Sequence, residues 1–160
     1  MTDFESVVNT YGPALRRLAS AWERDVAARE DLLQEILLAL WRSLTRFRGE
    51  CSEKTFVYRV AHNRALTHRF RTRVPTDSLD AAAPAIDPGP TPEAEASATQ
   101  RIEVLMRALQ SLPTAPRQIL TLALEGLTRA EIAEILGITE NNAGVRLSRA
   151  RRMLTEKLNE

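Results

Sequence analysis

The stretch VPTDSLDAAAPAIDPGPTPEAEASATQ, residues 74–100, constrains the fold more than any other feature. It holds five of the chain's eight prolines and five acidic residues, but no lysine or arginine. Proline removes a backbone donor and blocks helix continuation. With no aromatic and few large aliphatic side chains, the stretch cannot bury enough surface to order itself. It reads as a flexible, extended, acidic linker between two units, residues 1–73 and 101–160. Units of about 60–70 residues can fold when mostly helical, on small cores.

Charge follows the same division. The first unit has 13 basic and 9 acidic residues and the second has 9 and 7, so the net charge of +1 hides two basic units around an acidic tether. All but two of the 22 basic residues are arginine. The planar guanidinium fork suits phosphate and guanine edges, although a GC-rich coding bias would also favour arginine. One cysteine excludes an internal disulfide and an all-cysteine metal site, and with two histidines a zinc site would need carboxylates. No metal or cofactor is expected. No apolar run reaches the ~18 residues of a membrane span, and the start MTDFESVVNTY lacks the marks of a signal peptide. The expectation is a cytoplasmic protein with no membrane insertion.

The first unit is helical by period. Gly12-Pro13 is expected to end an opening helix and start the next. Asp25 caps a long helix in which Leu32, Leu33, Ile36, Leu37, Leu40, Trp41 and Leu44 recur at 3–4 spacing, ending near Arg48-Gly49-Glu50. Asp31, Gln34 and Glu35 lie beside Leu38 there, either as a solvated face or as a docking face for a partner helix. Ser52 caps a further helix. Phe56, Val60, Asn63 and Thr67 share one stripe of it, while Arg59, Arg64, Arg69, Arg71 and Arg73 spread over other faces.

The second unit has a sharper pattern. In LTRAEIAEILGITENNAGVRLSRARRML, Thr128 with Glu131 forms a capping box, and Gly137 closes the short helix whose inner face is Ile132, Ala133 and Leu136. Thr139 caps the next helix, whose apolar face is Ala143, Leu147, Ala150 and Leu154. This is a helix-turn-helix pattern, whose second helix enters the major groove. Asn141, Val145, Ser148 and Arg152 lie opposite the apolar stripe, flanked by Arg146, Arg149 and Arg151. Asparagine can read adenine, and arginine can read guanine or grip phosphate.

Both units together resemble one family, the extracytoplasmic-function sigma factors of bacterial RNA polymerase, from about Tyr11 to Leu158. REDLLQEILLALW resembles the family's core-polymerase-binding helix, and FRGECSEKTFVYRVAHNRAL its −10-reading and melting segment. The last sixty residues resemble its −35-reading domain. The resemblance implies an all-α protein of two small helical domains, binding core polymerase and directing it to promoters, and not itself an enzyme. It implies core contacts at Asp31, Gln34, Glu35 and Leu38, toward the clamp helices of the largest subunit, and a contact with the flap of the second-largest subunit. Bets for the −10 single strand are Lys54, Tyr58, Arg59, His62, Asn63 and Arg71, with His62 and His68 read as surface residues and Phe56 as core. The −35 set is Asn141, Asn142, Val145, Arg146, Ser148, Arg149 and Arg152. The acidic linker would thread the polymerase cleft as an RNA mimic, or serve only as a solvated spacer. An anti-sigma factor is an expected partner beside core polymerase and promoter DNA.

The chain departs from the family at Thr67, where aspartate is typical. Asn142, Ala143 and Gly144 replace a common threonine, valine and basic residue. Gly144 removes a long side chain from the DNA side, so the usual −35 contacts do not carry over whole. Two other readings compete: a dimeric helix-turn-helix regulator acting without polymerase, and an enzyme pairing Cys51 with His62 or His68.

Overall fold

The structure, a computed structural model, describes residues 3–72 and 93–160, with side chains in 3–71 and 97–160. Among these residues lie seven α-helices and no strand, as the 3–4 periodicity requires. The first unit is α1 (Phe4–Trp22), α2 (Val26–Leu44) and α3 (Glu53–Thr72). The second is α4 (Glu93–Ser111), α5 (Thr114–Leu124), α6 (Arg129–Leu136) and α7 (Glu140–Leu158). Arg73 and residues 74–92 of the acidic stretch lie outside the described residues.

The local start and stop signals hold. Asp25 accepts from the Ala28 N–H at 2.9 Å, Ser52 from Thr55 at 3.0 Å, and Thr139 from Asn142 at 3.0 Å. Thr128 and Glu131 form the reciprocal capping box. Gly137 has φ +71°, the left-handed conformation that glycine adopts without strain.

Other boundaries are corrected. α1 runs through Gly12-Pro13 without a break. An interior proline costs about 3 kcal/mol, chiefly through the carbonyl four residues back. Pro13 and Asn9 both face solvent, so that carbonyl can bind water, while Val7, Ala14, Leu15, Leu18 and Trp22 keep the stripe buried. α2 stops at Leu44, short of Arg48. The last eight residues of the presumed linker, Glu93 to Gln100, are helical rather than extended. No proline follows Pro92 there, and EAEASATQ is rich in helix-favouring alanine and glutamate. In α6, Ile135 is buried in place of Leu136, which is half-buried.

One apolar core joins α1, α2 and α3 through Leu15, Leu18, Leu32, Ile36, Leu40 and Val57. The face of α3 turned inward is Val57, Tyr58, Ala61, His62, Ala65 and His68, not the Phe56–Val60–Asn63–Thr67 stripe. Small Ala61 and Ala65 let α2 approach closely, and Asn63 and Thr67 are left in solvent. Phe56 is half-buried and stacks on Phe47 at 4.5 Å. The second core, built on Leu109, Leu112, Ile119, Leu122, Ile132 and Leu147, also takes in Ala14, Ala21 and Tyr58 of the first unit. The two helical units therefore pack against each other.

Candidate functional site

Three surfaces carry the candidate residues. On α2, Asp31, Gln34 and Leu38 are exposed at steps of three and four, and Trp41 continues the row. Leu38 is 47% and Trp41 58% exposed, a large apolar pair bordered by polar side chains. The heptad-like spacing had placed Trp41 with the core row. Its three-residue step from Leu38 puts it on the same exposed stripe as Asp31, Gln34 and Leu38. Glu35 is half-buried and already engaged. It meets His68 Nδ1 at 3.0 Å and accepts from Arg71. Burial raises its pKa, but these two donors outweigh burial and hold it below the usual carboxylate range.

The second surface lies on α3. Lys54 Nζ is 3.5 Å from Glu131, and Arg59 Nη2 is 3.8 Å from the Glu134 carboxylate. The Tyr58 hydroxyl donates to Glu125 at 3.4 Å. Burial, followed by the Glu125 charge, pushes the Tyr58 pKa far up. Three of the six −10 candidates are thus held by carboxylates of the other unit, and Tyr58 is only 4% exposed. Asn63 and Arg71 do face solvent.

The histidines are corrected. His62 is 1% exposed, packs edge-on against Trp22, and neither ring nitrogen has a hydrogen-bond partner among the described residues. Burial pushes its pKa down to about 4, so it is a neutral core residue and not a surface contact. His68 is buried too, with Nε2 2.9 Å from Glu23 and Nδ1 on Glu35, tying α3 to α2 and to the end of α1. Their positions on an arginine-rich helix concealed this, because the residues that enclose them lie on other helices. Cys51 lies 3.9 Å from Arg59 Nη1.

The third surface is the outer side of α7. Asn141, Gly144, Val145, Ser148, Arg149 and Arg152 line an open groove of about 390 Å³. α6 adds Arg129. Arg146 and Asn142 do not line it and bond each other at 3.2 Å. Ala143, Leu147, Ala150 and Leu154 are buried on the opposite side, as the spacing predicts. A positive groove on a helix docked through its other face suits the major groove of duplex DNA.

The comparisons with known proteins follow the same division. The sigma-70 region 2 family matches residues 7–74, and the sigma-70 region 4 family matches residues 102–154. The ECF RNA polymerase sigma-E factor of Haemophilus influenzae is 33% identical over 138 residues, covering 80% of this chain and 73% of that protein. The sigma-E factor of Escherichia coli K12 is 29% identical over the same length, covering 80% and 72%. A Xanthomonas campestris protein named "Probable RNA polymerase sigma factor RfaY" is 32% identical over 88% of this chain, which spans 36% of that longer protein. Among solved structures, the sigma factor RpoE of Bartonella quintana, in complex with the anti-sigma factor NepR, superposes with TM-score 0.73 at 24% identity, covering 99% of this chain and 98% of that one. CnrH, in complex with the cytosolic domain of CnrY, superposes with TM-score 0.69 at 22% identity, covering 98% and 87%. Two sigma-70 domains in order, on the all-helical fold and alongside a sigma-E relative at 33% identity, place this chain in the extracytoplasmic-function sigma factors of bacterial RNA polymerase.

Proposed function

We propose that this sigma factor divides its work between its two units. α2 docks on the polymerase core through Asp31, Gln34, Leu38 and Trp41, with Glu35 fixed beside them by His68 and Arg71. Lys54, Arg59, Asn63 and Arg71 meet the −10 strand, where a base leaves the stack at a cost of a few kcal/mol offset by pocket and stacking contacts. Tyr58 joins them only after it is uncovered. The outer side of α7 grips the −35 duplex through Asn141, Val145, Ser148, Arg149 and Arg152. The protein acts by binding rather than by catalysis, in the cytoplasm.

The observation that carries this reading is the arginine-lined groove on α7, 390 Å³ in volume, opposite a fully apolar docking face. The arrangement has one consequence for the −10 step. Tyr58 is buried and bonded to Glu125, so the two units must part before it reaches DNA, whereas the partly exposed Lys54 and Arg59 need only exchange Glu131 and Glu134 for phosphate. A protein inhibitor that covers both units would favour the packed form. The two structural neighbours, each solved with a second protein, support such a partner.

Binding of labelled protein to purified core polymerase tests the docking half. Asp31→Arg is expected to weaken binding while leaving the thermal transition in place, because Asp31 is exposed. Core affinity equal to the unaltered protein's would move the docking face elsewhere.

A further inference from the structure

The recognition helix lacks a side chain at Gly144, and a neighbouring helix fills the space. A Cβ built on Gly144 would stand 3.1 Å from both Cζ and Nε of Arg129 and 3.3 Å from its Nη1. Arg129 is the first residue of α6, directly after the Thr128 cap. Its guanidinium therefore occupies the space that a side chain at 144 would take and forms part of the groove wall with Arg149 and Arg152. Arg129 is exposed, and it forms no ion pair with a carboxylate among the described residues.

We infer that Arg129 is a duplex-binding residue, supplying from α6 the cation that α7 lacks at Gly144. Its target is a DNA phosphate. In a helix-turn-helix the first helix crosses the sugar–phosphate backbone while the second enters the groove, and Arg129 opens that first helix. A long side chain at 144 would displace the guanidinium, so glycine there and arginine at 129 act as a pair. The inference rests on the proposed reading of α7 as the duplex-binding helix and adds a residue that neither the helix's own face nor its spacing reveals.

The test uses the full chain and a random-sequence DNA duplex, with binding followed by fluorescence anisotropy between about 50 and 200 mM salt. A phosphate contact contributes to sequence-independent binding, and each one lost lowers the slope of log affinity against log salt by about 0.9. Arg129→Ala is expected to lower the slope by about that amount, and Arg129→Ala with Gly144→Arg to restore it. Arg149→Ala serves as the comparison. If Arg149→Ala weakens binding while Arg129→Ala matches the unaltered protein, the inference is overturned and the reading of α7 stands. If Arg129→Ala weakens binding but leaves the slope unchanged, the phosphate assignment is wrong. If the unaltered protein fails to bind duplex at the lowest salt, the reading of α7 falls and the inference falls with it.

Discussion

Arg117 of α5 holds its guanidinium 5.1 Å from the centre of the Trp22 ring at the end of α1, with Arg117 itself 2% exposed. Its Nη2 donates to the carbonyls of Gln110 and Leu112, the latter at 2.8 Å, where α4 ends. One cation thus satisfies the carbonyl end of a helix in the second unit and stacks on an aromatic ring of the first. Arg69 approaches the same ring at 5.9 Å.

Replacing this cation should be costly. Arg117→Ala leaves buried carbonyls without a donor and empties the space over Trp22, for an expected loss of about 2–4 kcal/mol. For a chain of this size that lowers Tm by roughly 6–12 °C. Differential scanning calorimetry reads this directly, and a Tm within a degree of the unaltered protein's would show that the buried arginine contributes little.

His62 sets a pH dependence. Its pKa is about 4 in the folded protein against 6.5 for the free side chain. Between those values the unfolded chain binds the extra proton, so stability falls as pH drops from about 6.5 toward 4. The full effect approaches 3 kcal/mol as an order of magnitude. His62→Leu removes that group, and its urea-melt stability should vary less over this window than the unaltered protein's. The Glu35 pKa is depressed, so its contribution is present above the ordinary carboxylate range and is lost only at lower pH, as pH falls through the depressed value. Parallel pH profiles for both proteins would remove His62 from the account.

A charged pair also bridges the two units. Arg17 and Glu125 form a two-pronged pair at 2.8 Å on each prong. Arg17 is half exposed, so the pair itself contributes only about 0.5 kcal/mol. Glu125→Lys does more, because it sets like charges face to face and deprives the buried Tyr58 hydroxyl of its acceptor. Small-angle scattering should then report a larger radius of gyration than for the unaltered chain. An identical radius would mean that the remaining contacts, apolar packing around Ala14, Ala21 and Tyr11 together with Lys54–Glu131, Arg59–Glu134 and Arg117 on Trp22, hold the units without Glu125.

On the α2 face proposed to meet core polymerase, Trp41→Ala should reduce core affinity about tenfold or more, since large aromatics that become buried in an interface act as anchors. Little change in Tm is expected, as the ring is 58% exposed in the free protein. Surface plasmon resonance on immobilised core reads the difference, and unchanged kinetics would exclude Trp41 from the contact.

Much of this was legible in the residues because the deciding physics is local. Asp25, Ser52, Thr128, Thr139 and Gly137 act on groups within four residues of themselves, and the sequence carries both partners. The four-three-four face of α7 is local as well. Pro13 departs from the local rule because its cost is local while the burial that overrides it is not. The burial of His62, His68 and Tyr58 was not legible because what encloses them comes from Trp22, Glu23, Glu35 and Glu125, from other helices and, for Glu125, from the other unit. Arg129 stayed hidden for the same reason, as its place is set by an absent side chain fifteen residues later. The −10 candidates at Lys54 and Arg59 were chosen for charge, and the structure adds the carboxylates that hold them.

The account depends most on the chain conferring promoter choice on RNA polymerase, and run-off transcription with purified core on a library of genomic promoter fragments measures that directly. Discrete transcripts that need both core and this chain are expected, weakening sharply with Asp31→Arg or Arg149→Ala. Transcript patterns identical to those of core alone would contradict it.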